Sequence, residues 1–148
     1  MTLAFLADVT ESEVTGLSAN LARTAQAFAG FPASLAGACA FPRPARATTL
    51  WCGIDPGGTQ FSAVAAAVAP AVRAAGLSLD DRGFRPHLTL ARCPPTDLRQ
   101  VVEILGTYRG PRFAVREITL VRSHLGKGPG GRAAHEVIGR WPLSVDRA

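Results

Sequence analysis

Apolar residues recur along this chain with two spacings, three to four residues in some stretches and two in others. The first spacing is typical of amphipathic helices and the second of half-buried strands. Helices are predicted at about 11–29, 59–76 and 97–106. Strands are predicted at 2–7, 34–40, 48–54, 87–92, 112–123 and 134–141. Short turns between strands, interrupted by helices, favour an α+β fold with antiparallel sheets.

Local signals support several of these elements. Thr10 and Glu13 form a capping-box pattern before the first helix. Pro70 is expected to kink or split the second helix. A glycine-rich turn at 126–131 is expected to join the last two strands as a hairpin. The expected buried face of the first helix carries Leu17, Leu21, Ala25 and Phe28.

The stretch 87–92 reads His-Leu-Thr-Leu-Ala-Arg and is the chemically richest part of the chain. Alternation places His87, Thr89 and Ala91 on one face of a strand. It places Leu88 and Leu90 on the other face, which is expected to be buried. Arg92 starts on the leucine face, so only a bend or bulge near Ala91 would bring it beside His87. Alternation alone makes the imidazole of His87 and the hydroxyl of Thr89 neighbours on one surface.

Such a pair suits phosphate-ester chemistry, because imidazole exchanges protons near neutral pH and a hydroxyl can hold a phosphate oxygen. A structural histidine would fit the short pattern equally well. The chain's first residues supply a second observation. Thr2-Leu3-Ala4 repeats Thr89-Leu90-Ala91, so the position before Met1 aligns with His87.

Two strands of His-x-Thr type resemble the two-histidine (2H) phosphoesterases. The nearest resemblance is to the LigT/ThpR branch, the RNA 2′,3′-cyclic phosphodiesterases also called 2′-5′ RNA ligases. It rests on the segments 40–55, 80–92 and 123–143. It implies two pseudo-symmetric lobes with antiparallel sheets, outer helices and a cleft between them. Residues 1–148 would form a single bilobal domain lacking the family's usual opening strand and helix.

The resemblance also assigns roles to residues. His87 is expected to act as general base toward water, and Thr89 and Arg92 are expected to hold the phosphate. Thr2 would be the phosphate-binding hydroxyl of the first motif. Phe5 matches an aromatic residue that stacks on a nucleobase in relatives, although a core position would explain it as well. His124 and His135 do not match either motif.

The activity implied by the resemblance is hydrolysis of RNA or oligonucleotide 2′,3′-cyclic phosphate ends to 2′-phosphates, with 2′-5′ ligation as a reverse reaction. The partner histidine that would act as general acid is missing, as if the chain were truncated inside the first motif. We therefore expect an enzyme with reduced activity in this form. The alternatives are a catalytically impaired RNA-end or nucleotide-phosphate binder and an enzyme for a small cyclic nucleotide.

Composition adds limits on partners and location. A net charge of +5 and a pI near 10.1 suit a polyanion such as RNA, although an Ala-, Arg-, Gly- and Pro-rich chain is also typical of GC-rich genomes. Three cysteines without a Cys-x-x-Cys pair favour a reducing cytoplasm over disulfides or zinc. No signal peptide or membrane span, and no metal or other cofactor, is expected. The full-length form is expected to be a monomer.

Overall fold

The computed structural model of the protein describes residues 1–79 and 83–145. Residues 80–82, which begin one of the segments behind the family resemblance, lie outside the described residues. The helices in the described part are α1 (Glu11–Gln26), α2 (Gly58–Arg73) and α3 (Arg99–Leu105). The strands are β1 (Phe31–Phe41), β2 (Ala47–Ile54), β3 (Leu88–Thr96), β4 (Arg109–Val115), β5 (Glu117–His124) and β6 (Ala134–Pro142). All strand pairs in the two sheets are antiparallel, so the predicted α+β class is confirmed.

The described residues fall into two compact units. Unit 1 takes in described residues from 1–5, 31–69 and 79–115, and unit 2 takes in those from 6–30, 70–78 and 116 onward. The four-stranded sheet, with strand order β3-β2-β1-β4, belongs to unit 1. The two-stranded sheet β5-β6 belongs to unit 2. The predicted arrangement of two lobes about a cleft stays a prediction.

The core of unit 1 lies between its sheet and α2. Phe61 of α2 packs edge-on against Phe31 of β1, with ring centroids 5.1 Å apart. Ala33 and Ala40 of β1 are buried. Because these side chains are small, this face of the sheet can lie close to the helix. The buried stripe of α2 within unit 1 consists of Phe61, Val64, Ala65 and Val68.

Strand β3 is an edge strand, and this position changes the predicted burial of its leucines. Leu88 is 40% exposed and Leu90 is 47% exposed, so the expectation of a buried leucine face is wrong. The physical reason is that an edge strand has a neighbour on one side only, here β2.

The register between β2 and β3 contains an extra residue in β3. Trp51 pairs with Thr89, and the next residue of β2 toward its start, Leu50, pairs with Ala91. Leu90 therefore has no partner of its own and forms a β-bulge, which reverses the alternation beyond it. Paired residues place their side chains on the same face of a sheet. The bulge therefore puts Arg92 on the same face as Thr89, and it puts Ala91 on the opposite face.

Unit 2 is built from α1 and the β5–β6 hairpin. The capping box at Thr10 and Glu13 is present, and Leu17, Leu21 and Ala25 are buried as predicted. Phe28 is only partly buried, because α1 ends at Gln26 and Phe28 lies beyond its last turn. The predicted hairpin is confirmed over the whole length of β5 and β6.

Two predicted strands differ from the structure. Residues 2–7 form no strand, since alternation alone does not supply the hydrogen-bonded neighbour that a strand requires. The single strand predicted at 112–123 is divided at Arg116 into β4 and β5, which pair in different sheets. In contrast, Pro70 does not split the second helix, and α2 continues through it.

The turn before α2 packs closely against β1, so substitutions in this turn test how the helix is held there. Gly57 has a φ of +102°, and a Cβ there would lie 2.6 Å from the Cβ of Ala33. We expect Gly57→Ala to lower the free energy of unfolding by about 2–5 kcal/mol through backbone strain and overpacking. Urea unfolding followed by circular dichroism measures the change.

The adjacent Gly58 is the matched control, because a Cβ there meets nothing within 4 Å and the residue is the first of α2. We expect Gly58→Ala to change stability by less than about 1 kcal/mol, in the stabilising direction. Equal effects of the two substitutions would contradict this account of the turn.

Candidate active site

One face of the unit 1 sheet gathers the polar and aromatic side chains of three neighbouring strands. The register pairs Phe41 of β1 with Thr49 of β2, and Thr49 with Arg92 of β3. Trp51 of β2 pairs with Thr89, two residues along the same face. These residues and His87, which directly precedes β3, make up what we call the site face.

His87 is held at its Nδ1 atom by the main chain. Nδ1 lies 2.7 Å from the carbonyl oxygen of Arg85. A carbonyl oxygen only accepts hydrogen bonds, so Nδ1 carries the proton and donates it. In the neutral ring Nε2 is then left with a lone pair, which is the form that a general base requires. Pro86, between the two residues, has a fixed φ and disfavours helical backbone at Arg85, which narrows the conformations of this segment.

An aromatic pair fixes the plane of the imidazole. The rings of Phe41 and Trp51 are stacked, with centroids 5.1 Å apart and planes at 21°. The His87 ring lies edge-on to both, 5.7 Å from each centroid. Edge-to-face contacts at this distance are favourable and directional, so they restrict rotation of the ring. Together with the Arg85 carbonyl, the pair leaves His87 little freedom.

Thr89 and Arg92 share the site face with His87 and are exposed. Thr89 follows His87 by two residues, and Arg92 reaches the face because of the bulge at Leu90. Among residues 1–79 and 83–145, no carboxylate pairs with Arg92. The structure thus brings His87, Thr89 and Arg92 together with an imidazole, a hydroxyl and a guanidinium all directed to one surface.

Thr2 and Phe5 belong to unit 1 but do not lie on a strand. Thr2 is exposed, and the side chain of Phe5 is 76% exposed. The core position considered for Phe5 is therefore wrong. Its proposed stacking on a base and the proposed role of Thr2 stay predictions.

Four residues at the site were not among the predicted site residues: Phe41, Thr49 and Trp51 of the site face, and Arg85 beside it. Arg85 could have been found, since it precedes His87 by two residues and alternation places both on one face. The two aromatic residues lie more than thirty positions from His87 in the sequence, and only the strand register brings them to it. The guanidinium of Arg85 lies 5.8 Å from the ring centroids of both Phe41 and Trp51.

Other chemically active groups are placed elsewhere. Cys52 follows Trp51 in β2 and so points to the opposite face, where burial raises the pKa of its thiol. His124 forms a hydrogen bond with Glu136, and His135 forms one with Ser123, both within unit 2. In the described part of the chain, no three His, Cys, Asp or Glu residues are grouped as a metal site would need. No helix there has the length and hydropathy needed to cross a bilayer.

Sequence comparisons point to one family. A profile of the 2′-5′ RNA ligase superfamily matches residues 1–127. An RNA 2′,3′-cyclic phosphodiesterase of Aquifex aeolicus is 30% identical over 129 residues, which are 84% of this chain and 69% of that protein. An RNA 2′,3′-cyclic phosphodiesterase of Geobacillus stearothermophilus is 31% identical over 97% of this chain, but the match spans only 45% of that protein.

Solved structures agree with this assignment. A protein of Thermus thermophilus has a TM-score of 0.76 and 26% identity, covering 98% of this chain and 78% of that one. Escherichia coli LigT in complex with 3′-AMP has a TM-score of 0.76 and 25% identity, covering 97% of this chain and 75% of that one. The resemblance seen in the sequence is therefore confirmed: the chain belongs to the 2′-5′ RNA ligase superfamily, among the LigT-type 2H phosphoesterases.

Proposed function

We propose that this protein hydrolyses 2′,3′-cyclic phosphate ends of RNA to 2′-phosphates, with His87 as general base. The observation that carries the proposal is the hydrogen bond from Nδ1 of His87 to the Arg85 carbonyl, which in the neutral ring leaves the lone pair on Nε2, on the same face of the sheet as Thr89 and Arg92. Relatives named RNA 2′,3′-cyclic phosphodiesterases support the substrate class. The net charge of +5 suits a polyanionic substrate.

In the reaction a water oxygen forms a bond to phosphorus as the bond from phosphorus to the ribose O3′ breaks. Nε2 of His87 takes the proton that the attacking water loses. The departing O3′ takes up a proton as its bond to phosphorus breaks. The product carries the phosphate on O2′.

Thr89 and Arg92 would bind the non-bridging oxygens of the phosphate. Negative charge grows on these oxygens as water attacks, so donors that are already in place stabilise the transition state more than the substrate. The planar guanidinium of Arg92 can donate two parallel hydrogen bonds to a phosphate. Thr2 and Phe5 are proposed as further contacts to the phosphate and the base.

A cytoplasmic location is part of the proposal, and the cysteines and the proposed substrate support it. Cys39, Cys52 and Cys93 are all free thiols. Free thiols are typical of a reducing compartment, which supports a cytoplasmic enzyme that meets RNA there.

The first prediction concerns the base. His87→Asn keeps an N–H where Nδ1 stood and removes Nε2, so the contact with the Arg85 carbonyl can persist while the base is lost. We expect kcat on an oligonucleotide with a 2′,3′-cyclic phosphate end to fall about 10²–10⁴-fold. Chromatographic separation of the cyclic end from the 2′-phosphate measures turnover.

His135→Asn is the matched control, since His135 is an exposed histidine of unit 2. It should leave turnover within twofold of the wild type. Retention of more than a tenth of the activity by His87→Asn would contradict the assignment of the base. If the wild-type chain itself binds the oligonucleotide without turnover, the protein is the impaired binder instead.

The second prediction concerns the aromatic pair. Phe41→Leu removes one of the two rings that orient the imidazole and keeps Thr89 and Arg92, the residues proposed to bind the reacting phosphate. On a nucleoside 2′,3′-cyclic phosphate we expect kcat to fall about 10–100-fold, because small misplacements of a reacting group are costly, while KM changes less than twofold. Phe41→Tyr keeps the ring and should restore kcat. An effect on KM alone, or no recovery with tyrosine, would contradict a positioning role.

A further inference from the structure

The side chain of Arg85 has no assigned role in hydrolysis, although its carbonyl holds His87. We propose that its guanidinium binds the internucleotide phosphate next to the reacting end, so that this enzyme selects RNA chains over single cyclic nucleotides. The inference rests on the proposed hydrolysis and adds a second phosphate subsite to the same face.

The guanidinium of Arg85 is held in position before any ligand arrives. It lies 5.8 Å from the centroids of both Phe41 and Trp51, within the range of cation–π attraction. A planar cation resting on aromatic rings loses less side-chain freedom on binding than a free arginine does. This is the preorganisation that a binding residue needs.

Among residues 1–79 and 83–145, Arg85 has no carboxylate partner. Arg99, Arg122 and Arg140, by contrast, each pair with a carboxylate. The residue is exposed, so its donors are accessible. An accessible, unpaired guanidinium is suited to charge-assisted hydrogen bonds with a phosphate.

The position of Arg85 beside the site face indicates which phosphate it would meet. Arg85 and Arg92 lie on opposite sides of His87 in the chain, with Thr89 on the Arg92 side. The main chain of Arg85 contacts Nδ1, whereas the reacting phosphate must lie at Nε2. The N–H of Nδ1 and the lone pair of Nε2 point in different directions in the plane of the ring. Thr89 and Arg92 therefore suit the reacting phosphate, and Arg85 suits a phosphate on the other side of the imidazole.

The experiment compares Arg85→Gln with the wild type on three substrates. These are a nucleoside 2′,3′-cyclic phosphate, a dinucleotide with the same end, and that dinucleotide with an uncharged methylphosphonate linkage. We expect Arg85→Gln to lower kcat/KM on the charged dinucleotide about tenfold, mainly through KM, as for loss of a hydrogen bond to a charged group. The other two substrates should change less than twofold.

Arg99→Gln is the matched control, because it removes the same charge from an exposed residue of unit 1 that lies on α3. It should leave all three rates within twofold of the wild type. An equal loss on all three substrates would overturn the proposal and place Arg85 at the reacting phosphate. No loss on any substrate would overturn it as well.

Equilibrium binding separates this inference from the proposed hydrolysis. Fluorescence anisotropy with labelled dinucleotide and mononucleotide 2′-phosphates needs no turnover. We expect Arg85→Gln to weaken binding of the dinucleotide about tenfold and of the mononucleotide less than twofold. If the wild type binds in this way without hydrolysing cyclic ends, the proposed activity fails while the second subsite stands. Equal effects on both ligands would overturn the subsite.

Discussion

The extra residue in β3 is the constraint on which the site depends. A regular strand would place His87 and Arg92 on opposite faces, because they are five residues apart. The bulge at Leu90 reverses the alternation of faces beyond it, because Trp51 pairs with Thr89 while the adjacent Leu50 pairs with Ala91. Arg92 therefore lies on the same face as Thr89. The proposed base, His87, and the proposed phosphate-binding cation, Arg92, then lie on one face within a single short segment. Bulges are common beside active sites for this reason.

The second requirement is a rigid imidazole, and it is met by groups from two strands and from the segment that precedes β3. The carbonyl that accepts the Nδ1 proton lies just before β3, while the rings that contact His87 edge-on come from β1 and β2. One cost of this packing is visible in the indole of Trp51, whose Nε1 is buried without a hydrogen-bond partner in the described residues. An unsatisfied buried donor costs about 1–3 kcal/mol, so the packing of Trp51 has to outweigh it.

The sequence was sufficient for the parts of this account that are local. The capping box of α1, the β5–β6 hairpin and the His-x-Thr segment each depend on residues within a few positions of one another. The need for a bulge before Arg92 could also be stated from alternation, although its position at Leu90 rather than Ala91 could not. The burial of Leu88 and Leu90 was mispredicted, because alternation does not reveal that a strand lies at the edge of a sheet.

The remaining errors have the same origin, since a chain pattern carries no information about pairing partners. The alternation through 112–123 is continuous, yet the partner changes at Arg116 from β1 to β6. Residues 2–7 alternate as well but form no ladder. Phe41 and Trp51 could not be linked to His87 for this reason, because their contact exists only through the register of β1, β2 and β3.

The contact between Trp51 and His87 also has an optical consequence. The chain has two tryptophans, and they are divided between the units, with Trp51 in unit 1 and Trp141 in unit 2. Indole emission responds to a charged imidazole or a bound anion nearby. A chain with phenylalanine in place of Trp141 would therefore carry a single tryptophan, in contact with the imidazole, and its selectively excited indole emission would report the occupation of this surface without any attached dye.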